Sequence, residues 1–218
     1  MIQSGKFDSS YMDIKKLGNS ILIFTIKRLI EIFGFFVLCL GVLLFISLVS
    51  YSPTDPNFIF PENTEIKNVL GFQGSYMSDL FFQSFGLIAY LISITYIFTG
   101  LNIIKRKEIF LLIKNTFFII LYILLGSLFF SFYYKNFFSF HINGNGGFIG
   151  NYLNTPQLNN LINSFENILF YFFILLIIIL FLISINFNTK NFIQNIKKII
   201  FYILKKDPKN YTKKNEII

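Results

Sequence analysis

The sequence predicts an all-α, polytopic membrane protein with four transmembrane helices, and two observations lead to this prediction. The first is composition, since the 218-residue chain is 54% hydrophobic and only 14% charged, whereas soluble domains contain about 25% charged residues. The second is the presence of four long apolar segments. A helix needs about 20 residues to cross about 30 Å of hydrocarbon, and all four segments meet or approach that length. A water-soluble globular protein is therefore excluded.

The four predicted helices follow one another after a short polar arm. This N-terminal arm, residues 1–28, is charged and does not have the form of a cleavable signal peptide. The fourth helix is the shortest, and Asn167 and Asn186 can lie at its two interfaces. The helices make up a transmembrane domain of residues 29–186, with boundaries near 29–50, 80–104, 109–132 and 168–185.

Basic residues predict the orientation of these helices. Nearly all Lys and Arg residues fall in the N-terminal arm, around the link between the second and third helices, or in the C-terminal tail. The other two links contain only Lys67 and Lys135. Since basic residues concentrate on the cytoplasmic side, we expect both termini in the cytoplasm and the two longer loops outside. The net charge of +8 then reflects topology and contact with anionic headgroups of the bilayer.

The basic C-terminal tail, residues 187–218, has two interpretations. Apolar residues recur in it at helical spacing among lysines, which predicts an amphipathic helix on the cytoplasmic membrane surface. A solvated basic tail is the alternative. The apolar positions are Phe192, Ile193, Ile196, Ile199, Ile200 and Ile203.

No group of residues predicts catalysis, a cofactor or a metal. The only Gly-Lys pair, at residues 5 and 6, lacks the glycine spacing of a phosphate-binding loop. The single cysteine, Cys39, and the single histidine, His141, lie on different segments without clustered partners. We therefore expect a chain that is not an enzyme and that binds no nucleotide, nucleic acid, cofactor or metal.

Charged residues within the apolar segments lie near their ends. Glu31 lies one turn after Lys27 and Arg28, with which it can pair, and Lys114 can extend its ammonium to the same side of the membrane. Because no charge falls near the middle of a segment, the pattern does not favour ion or proton transport.

Small residues on the first two helices predict close helix packing. They recur seven residues apart, so that each set shares one helix face, and small faces let transmembrane helices approach closely. Packing within the bundle is the preferred interpretation, and contact between copies is the alternative. The residues are Gly34 and Gly41 on the first helix and Gly86, Ser93 and Gly100 on the second.

The two outer loops are rich in turn-forming residues. Pro53 and Pro56 end the first helix and impose an extended or turn path. Ser75, Ser78 and Asp79 lie at the predicted start of the second helix, where we expect them to cap it. The second loop contains a Gly-rich turn at residues 146–150, before the fourth helix.

Three motifs in these loops resemble the N-terminal membrane domain of FtsK-type (FtsK/SpoIIIE family) DNA translocases. One follows the first helix, one leads into the second, and one precedes the fourth, as in that family. The matching positions are Ser52, Pro53, Asp55 and Pro56 in the first motif, Asn68, Gly71, Gly74 and Asp79 in the second, and Gly146, Gly147 and Gly150 in the third.

The resemblance implies a role in cell division and chromosome segregation. In that family the membrane domain anchors a cytoplasmic hexameric ATPase that pumps double-stranded DNA at the division septum. It implies for this chain a multi-pass protein of the bacterial inner membrane, at the septum, that self-associates and contacts other division-site membrane proteins through its outer loops. The motor lies outside the sequence, which ends at Ile218, so a truncated piece, an incomplete reading frame and a stand-alone anchor all remain open.

A small, unrelated transporter or channel subunit is the alternative function. Four helices suffice for such proteins, but the sequence predicts neither midplane charges nor broken helices, which are common in them. A membrane-bound enzyme is a third possibility, for which the sequence offers no nucleophile and no metal site.

Overall fold

The computed structural model describes residues 4–56, 65–134 and 143–188, together with positions 194 and 197. These parts of the chain contain helices and no strand, so the all-α prediction is confirmed. The helices are α1 Ser4–Val49, α2 Gly71–Phe85, α3 Ala89–Arg106, α4 Phe110–Tyr133, α5 Gly147–Leu153, α6 Pro156–Ser164 and α7 Glu166–Ser184.

Four stretches of helix are long and apolar enough to cross a membrane, which confirms the predicted number. They are Lys16–Val49, Gly71–Arg106, Phe110–Tyr133 and Glu166–Ser184. The last two begin and end within two residues of their predicted boundaries. The first two differ more, because α1 already begins at Ser4, inside the predicted arm, and the second stretch begins at Gly71 instead of residue 80.

The second stretch is broken, contrary to the prediction of an unbroken helix. A single 3₁₀ turn, Gly86–Ile88, separates α2 from α3. Gly86 has φ +69° and ψ −150°, a combination open essentially only to glycine. A broken helix is thus present after all, and it lies near one end of the bundle instead of the middle. No sequence pattern indicated this break, since a lone glycine is common in transmembrane helices.

The expected capping of the second helix is also wrong. The helix begins at Gly71, and no side chain caps its first turn. Ser75, Ser78 and Asp79 instead lie within α2 on its buried face. They face protein because α2 covers the end of α1. This contact is between distant parts of the chain, so the local sequence does not indicate it.

Two contacts fix the course of α2. The Ser47 hydroxyl donates to the Gly74 carbonyl at 2.5 Å, and the Tyr90 hydroxyl donates to the Leu48 carbonyl at 3.3 Å. Gly74 and Tyr90 therefore lie at the same level of α1, although a straight helix would hold them about 24 Å apart. It follows that α2 lies across the end of α1 and that α3 alone makes the second crossing.

The α1 and α3 helices pack antiparallel through their small residues. A Cβ atom at Gly41 would lie 2.7 Å from the backbone nitrogen of Ile97, and one at Gly100 would lie 2.5 Å from that of Leu38. At Gly34 the nearest atom belongs to Ile103. These three glycines are therefore used for contact within the chain. Gly86, predicted to share a face with Ser93 and Gly100, instead lies outside α3 and faces Asn145.

A line of buried polar side chains joins α3, α4 and α7. Thr95 shares hydrogen bonds of 3.1 Å with Tyr122 of α4 and with Ser184 of α7. One turn further along α3, Thr99 accepts a hydrogen bond from Asn115 at 2.8 Å. Polar contacts of this kind fix how transmembrane helices are paired, because hydrocarbon offers their groups no other partner.

The bundle has two distinct ends. The basic end holds Arg28, Lys105, Arg106, Lys107 and Lys114, and the loop end holds residues 50–56, 65–71 and 143–147. At the basic end, the Glu31 carboxylate lies 2.5 Å from the Arg28 guanidinium and 2.8 Å from the Lys107 ammonium. Its second partner therefore comes from the link between α3 and α4, and not from Lys27 as expected. Lys114 donates to Asn186 at 2.8 Å.

The tail forms a separate unit. Residues up to 186 form one compact unit, and residues from 187 onward form another. Of that second unit only residues 187, 188, 194 and 197 are described. The predicted amphipathic tail helix therefore lies largely outside the described residues, as does His141.

Candidate functional site at the loop end

Asp55 organises the first loop. Its carboxylate accepts hydrogen bonds from the backbone N–H groups of Lys67, at 3.0 Å, and Asn68, at 2.8 Å. Asp55 is only 4% exposed, so these bonds replace water. A buried carboxylate needs such donors, and here it joins two parts of the loop that are twelve or more residues apart in sequence.

Asn68 connects this loop to two helices. Its amide donates to the Ser47 carbonyl at the end of α1, at 2.9 Å. Its side-chain oxygen accepts from the N–H of Leu70 at 3.1 Å, just before α2 begins. Ser75 of α2 in turn donates to the Pro56 carbonyl at 2.8 Å. The loop is therefore held at both ends by side-chain bonds to backbone.

The two glycines of the second motif are each required by the structure, but for different reasons. Gly71 has φ +67° and open space around it, so it provides a left-handed backbone conformation at the start of α2. Gly74 has a helical position, but a Cβ there would collide with the Asn68 side chain and with the Cβ of Leu70 at 2.6 Å. The first glycine permits the turn, and the second lets Asn68 pack against α2.

Tyr51 and Asp79 join the end of α1 to the middle of α2. The Tyr51 hydroxyl donates to the Asp79 carboxylate at 3.3 Å, and its ring meets Phe82 edge-on with centroids 5.0 Å apart. Burial, together with the nearby Asp79 carboxylate, raises the pKa of the Tyr51 phenol. The phenol therefore keeps its proton and remains a hydrogen-bond donor.

The second loop completes the backbone at the helix break. The Leu87 N–H donates to the Asn145 carbonyl at 2.9 Å, and Ser127 of α4 donates to the Phe85 carbonyl at 2.9 Å. Asn143 makes two further bonds to Gln83, at 3.1 and 3.2 Å. The break exposes backbone groups that hydrocarbon cannot satisfy, and these partners satisfy them.

The Gly-rich segment is a packing surface as well as a turn. Gly147 begins α5 with φ +64°, so the predicted turn becomes a helix after its first residues. A Cβ at Gly146 would lie 2.5 Å from the Ser127 carbonyl oxygen, and one at Gly147 would lie 2.5 Å from the Gly86 nitrogen. Gly150 also faces Ser127. These glycines let α5 lie directly on α4 and on the break.

The residues of the three sequence motifs thus come together in two neighbouring clusters, and most of them are buried. Ser52 and Pro53 remain at the surface, where the Ser52 hydroxyl is 2.9 Å from that of Thr54. This burial differs from the expectation that the motif side chains themselves present a surface to partner proteins. Their contacts hold the loops in place, and the buried members are Asp55, Pro56, Asn68, Gly74, Asp79, Gly146, Gly147 and Gly150.

Several residues of these clusters were not predicted. The serines and Gln83 are polar residues in apolar stretches, where a buried hydrogen-bond partner is usually required, and that rule could have singled them out. The two asparagines lie among glycines, and no local signal marks them. Among the described residues, no three His, Cys, Asp or Glu side chains come close enough to hold a metal ion. The additional residues are Ser47, Gln83, Ser127, Ser131, Asn143 and Asn145.

Comparison with known proteins matches this arrangement to one family. Residues 26–197, which include most of the first crossing, the other three crossings and both loops, match the family model described as the 4TM region of DNA translocase FtsK/SpoIIIE. A curated relative, "DNA translocase FtsK" from Azospirillum brasilense, is 31% identical over 88 residues, which cover 39% of this chain and 14% of the relative. The match therefore spans a small part of that relative. No solved structure matches.

Proposed function

Because this chain belongs to the family of FtsK/SpoIIIE 4TM regions, we propose that it anchors an FtsK-type translocase at the division septum of a bacterial inner membrane. The membrane domain holds the motor at the site where DNA must be cleared. The chain itself has no part in ATP hydrolysis or DNA contact. Its contribution is a fixed attachment point on one side of the membrane and a folded pair of loops on the other.

Charge supports the orientation that this function requires. The basic end contains Arg28, Lys107 and Lys114 near the helix ends, whereas the described part of the first loop contains Asp55 and Glu65 with only Lys67 as a cation. Basic residues remain in the cytoplasm. The basic end is therefore the cytoplasmic end, and the loop end lies outside.

The observation that carries the proposal is how the last helix ends. The α7 helix ends at the basic end, where Asn102 of α3 donates to the Ile185 carbonyl at 3.0 Å. Asn186 donates to Asn115 of α4 at 3.0 Å and accepts from Lys114 at 2.8 Å. These bonds hold the end of the last helix at the basic end, which supports attachment of a motor on that side.

Self-association and contacts with other division-site membrane proteins belong to the same proposal. The family's motor is hexameric, which supports assembly of its anchors. The α7 helix supports it too, since Tyr171, Leu175 and Ile178 on its outer face are exposed and can meet lipid or a second copy. The surface parts of the first loop, near Pro53, are the region available to partners outside the cytoplasm.

Localisation of a fluorescent fusion in dividing cells tests this function. The fusion should concentrate at midcell in cells that are constricting, and an unrelated four-helix membrane protein with the same tag should not. Asn68→Ala should weaken midcell enrichment while leaving membrane insertion intact, because it loosens the loop without touching the crossings. Even distribution of the unaltered chain around the envelope would contradict a division role.

A further inference from the structure

The α2 helix has its polar and apolar faces arranged in the opposite way from a helix in water. Its inward face includes Ser75 and Asp79, both buried. Its outward face includes Phe72, Met77 and Leu80, and Leu80 is 47% exposed. An aqueous surface would favour the reverse arrangement, so this outward face requires an apolar neighbour.

The α5 helix, beside α2, also exposes aromatic side chains. Its inward face is made of glycines that lie on α4 and on the helix break. Its outward face presents Phe148 and Tyr152, which stack with centroids 6.2 Å apart. Tyr152 is 75% exposed. The two helices together contain a single charged residue, Asp79, and that residue is buried.

Helix lengths give the depth of both helices. From the first residue of α4, Phe110 at the basic end, the chain rises about 26 Å to Ser127 and about 32 Å to Ser131. The hydrocarbon layer is about 30 Å thick, so its far boundary falls at these serines. Gly146 and Gly150 contact both serines, and α5 therefore lies at that boundary.

The same depth applies to α2. The α3 helix contains 18 residues and rises about 27 Å from the basic end to Ala89. The helix break follows immediately, and α2 lies across the end of α1 at the level of Tyr90. Neither short helix extends far into water, so their exposed faces meet the membrane surface.

The α6 helix differs from α2 and α5, because most of its exposed side chains are polar. Its exposed side chains include Gln157, Asn160 and Asn163, and its buried residue is the apolar Ile162. The polarity of its faces is the usual one. The exposed aromatic and aliphatic side chains of α2 and α5 are thus a local property of these two helices.

We propose that α2 and α5 form an interfacial collar, a pair of helices whose outward faces are inserted between the headgroups and acyl chains of the leaflet at the loop end. The partner of the collar is lipid. Aromatic side chains with a polar tip, such as Tyr152 and Tyr76, prefer this zone of the bilayer, and uncharged Gln73 can reach headgroups. The collar does not depend on the division role or on which end faces the cytoplasm.

Tryptophan fluorescence tests the collar directly, because the chain contains no Trp. The full chain is reconstituted in vesicles of phosphatidylcholine and phosphatidylglycerol carrying a nitroxide at the headgroup, at a shallow chain position or at a deep one. Leu80→Trp reports on α2 and Tyr152→Trp on α5. Asn160→Trp on α6 is the water reference, and Leu175→Trp in the middle of α7 is the hydrocarbon reference.

The collar predicts blue-shifted emission for both test variants and strongest quenching by the shallow nitroxide. Quenching by acrylamide in water should be several-fold weaker than for Asn160→Trp. Emission and acrylamide quenching equal to the water reference would overturn the proposal. So would protection from both acrylamide and every nitroxide, since that result would mean that protein, and not lipid, covers the two helices. The two test variants lie on different helices and are both exposed, so a folding defect in one leaves the other informative.

Discussion

The Asp55 carboxylate and the Asn68 backbone N–H, thirteen residues apart, meet at 2.8 Å in the interior of the first loop. The Asn68 side-chain amide in turn donates a hydrogen bond to the Ser47 carbonyl at the end of α1. These two hydrogen bonds hold the polar loop in one folded conformation against α1. The order of the loop should therefore depend on one carboxylate.

Replacing that carboxylate should loosen the loop. Asp55→Ala removes the acceptor of two N–H groups, and each hydrogen bond to a charged group contributes about 1.5–3 kcal/mol to stability. We expect faster hydrogen exchange at the amides of Lys67 and Asn68, measured by mass spectrometry, with the four crossings unchanged. Glu65→Gln, at an exposed acidic residue of the same loop, is the matched control. Equal exchange in the two variants would show that Asp55 does not hold the loop.

The contact of α1 with α3 should be sensitive to side-chain size at Gly100. Gly100→Leu would drive a side chain into the backbone of Leu38, and overpacking typically costs about 1–3 kcal/mol. We expect a lower unfolding midpoint when dodecyl sulfate is titrated into detergent micelles. Gly18→Leu on α1 is the control, because nothing lies within 4 Å of that position. A midpoint shift of the same size at both positions would rule out the described packing.

Substitution of two glycines of positive φ, Gly71 and Gly86, should have unequal costs. Gly86 has ψ −150°, a conformation open essentially only to glycine, and it also faces the Asn145 carbonyl, whereas Gly71 has open space around it. Gly71→Ala should lose about 1–2 kcal/mol, the usual cost of a left-handed residue. Gly86→Ala should lose distinctly more and should expose the second loop to protease. Equal stability of the two variants in thermal unfolding would contradict the described surroundings of Gly86.

The buried polar line should show coupling between α3 and α7. A double-mutant cycle with Thr95→Val and Ser184→Ala isolates their 3.1 Å contact. Such bonds in membranes average about 0.6 kcal/mol and reach about 1.7 kcal/mol, so we expect a positive coupling in this range from unfolding measurements. The pair Thr25→Val and Ser184→Ala should be additive, because Thr25 bonds only to its own helix in the contacts described. A coupling of zero in the first cycle would mean that the bond does not join the helices.

The sequence predicted the crossings well and the loop end poorly, for a physical reason. Transmembrane helices follow from composition and length alone, so the boundaries of α4 and α7 were close. The course of α2 depends on contacts with the end of α1, and the position of Gly86 depends on Asn145, which lies far away in sequence. Polar residues such as Ser75 appeared to be loop residues because nothing local indicates that they face protein. The sequence was sufficient to identify the motif residues, but not to predict that most of them are buried.

Topology labelling tests the central claim, that the chain anchors its cargo with the basic end in the cytoplasm and the loop end outside. In a Cys39→Ala background, Lys67→Cys marks the first loop and Glu108→Cys marks the link between α3 and α4, both at exposed positions. A membrane-impermeant maleimide is applied to cells with a permeabilised outer envelope. We expect labelling of Lys67→Cys and protection of Glu108→Cys until the inner membrane is opened. Labelling of Glu108→Cys alone would contradict it, because a motor that follows α7 would then lie on the wrong side of the membrane.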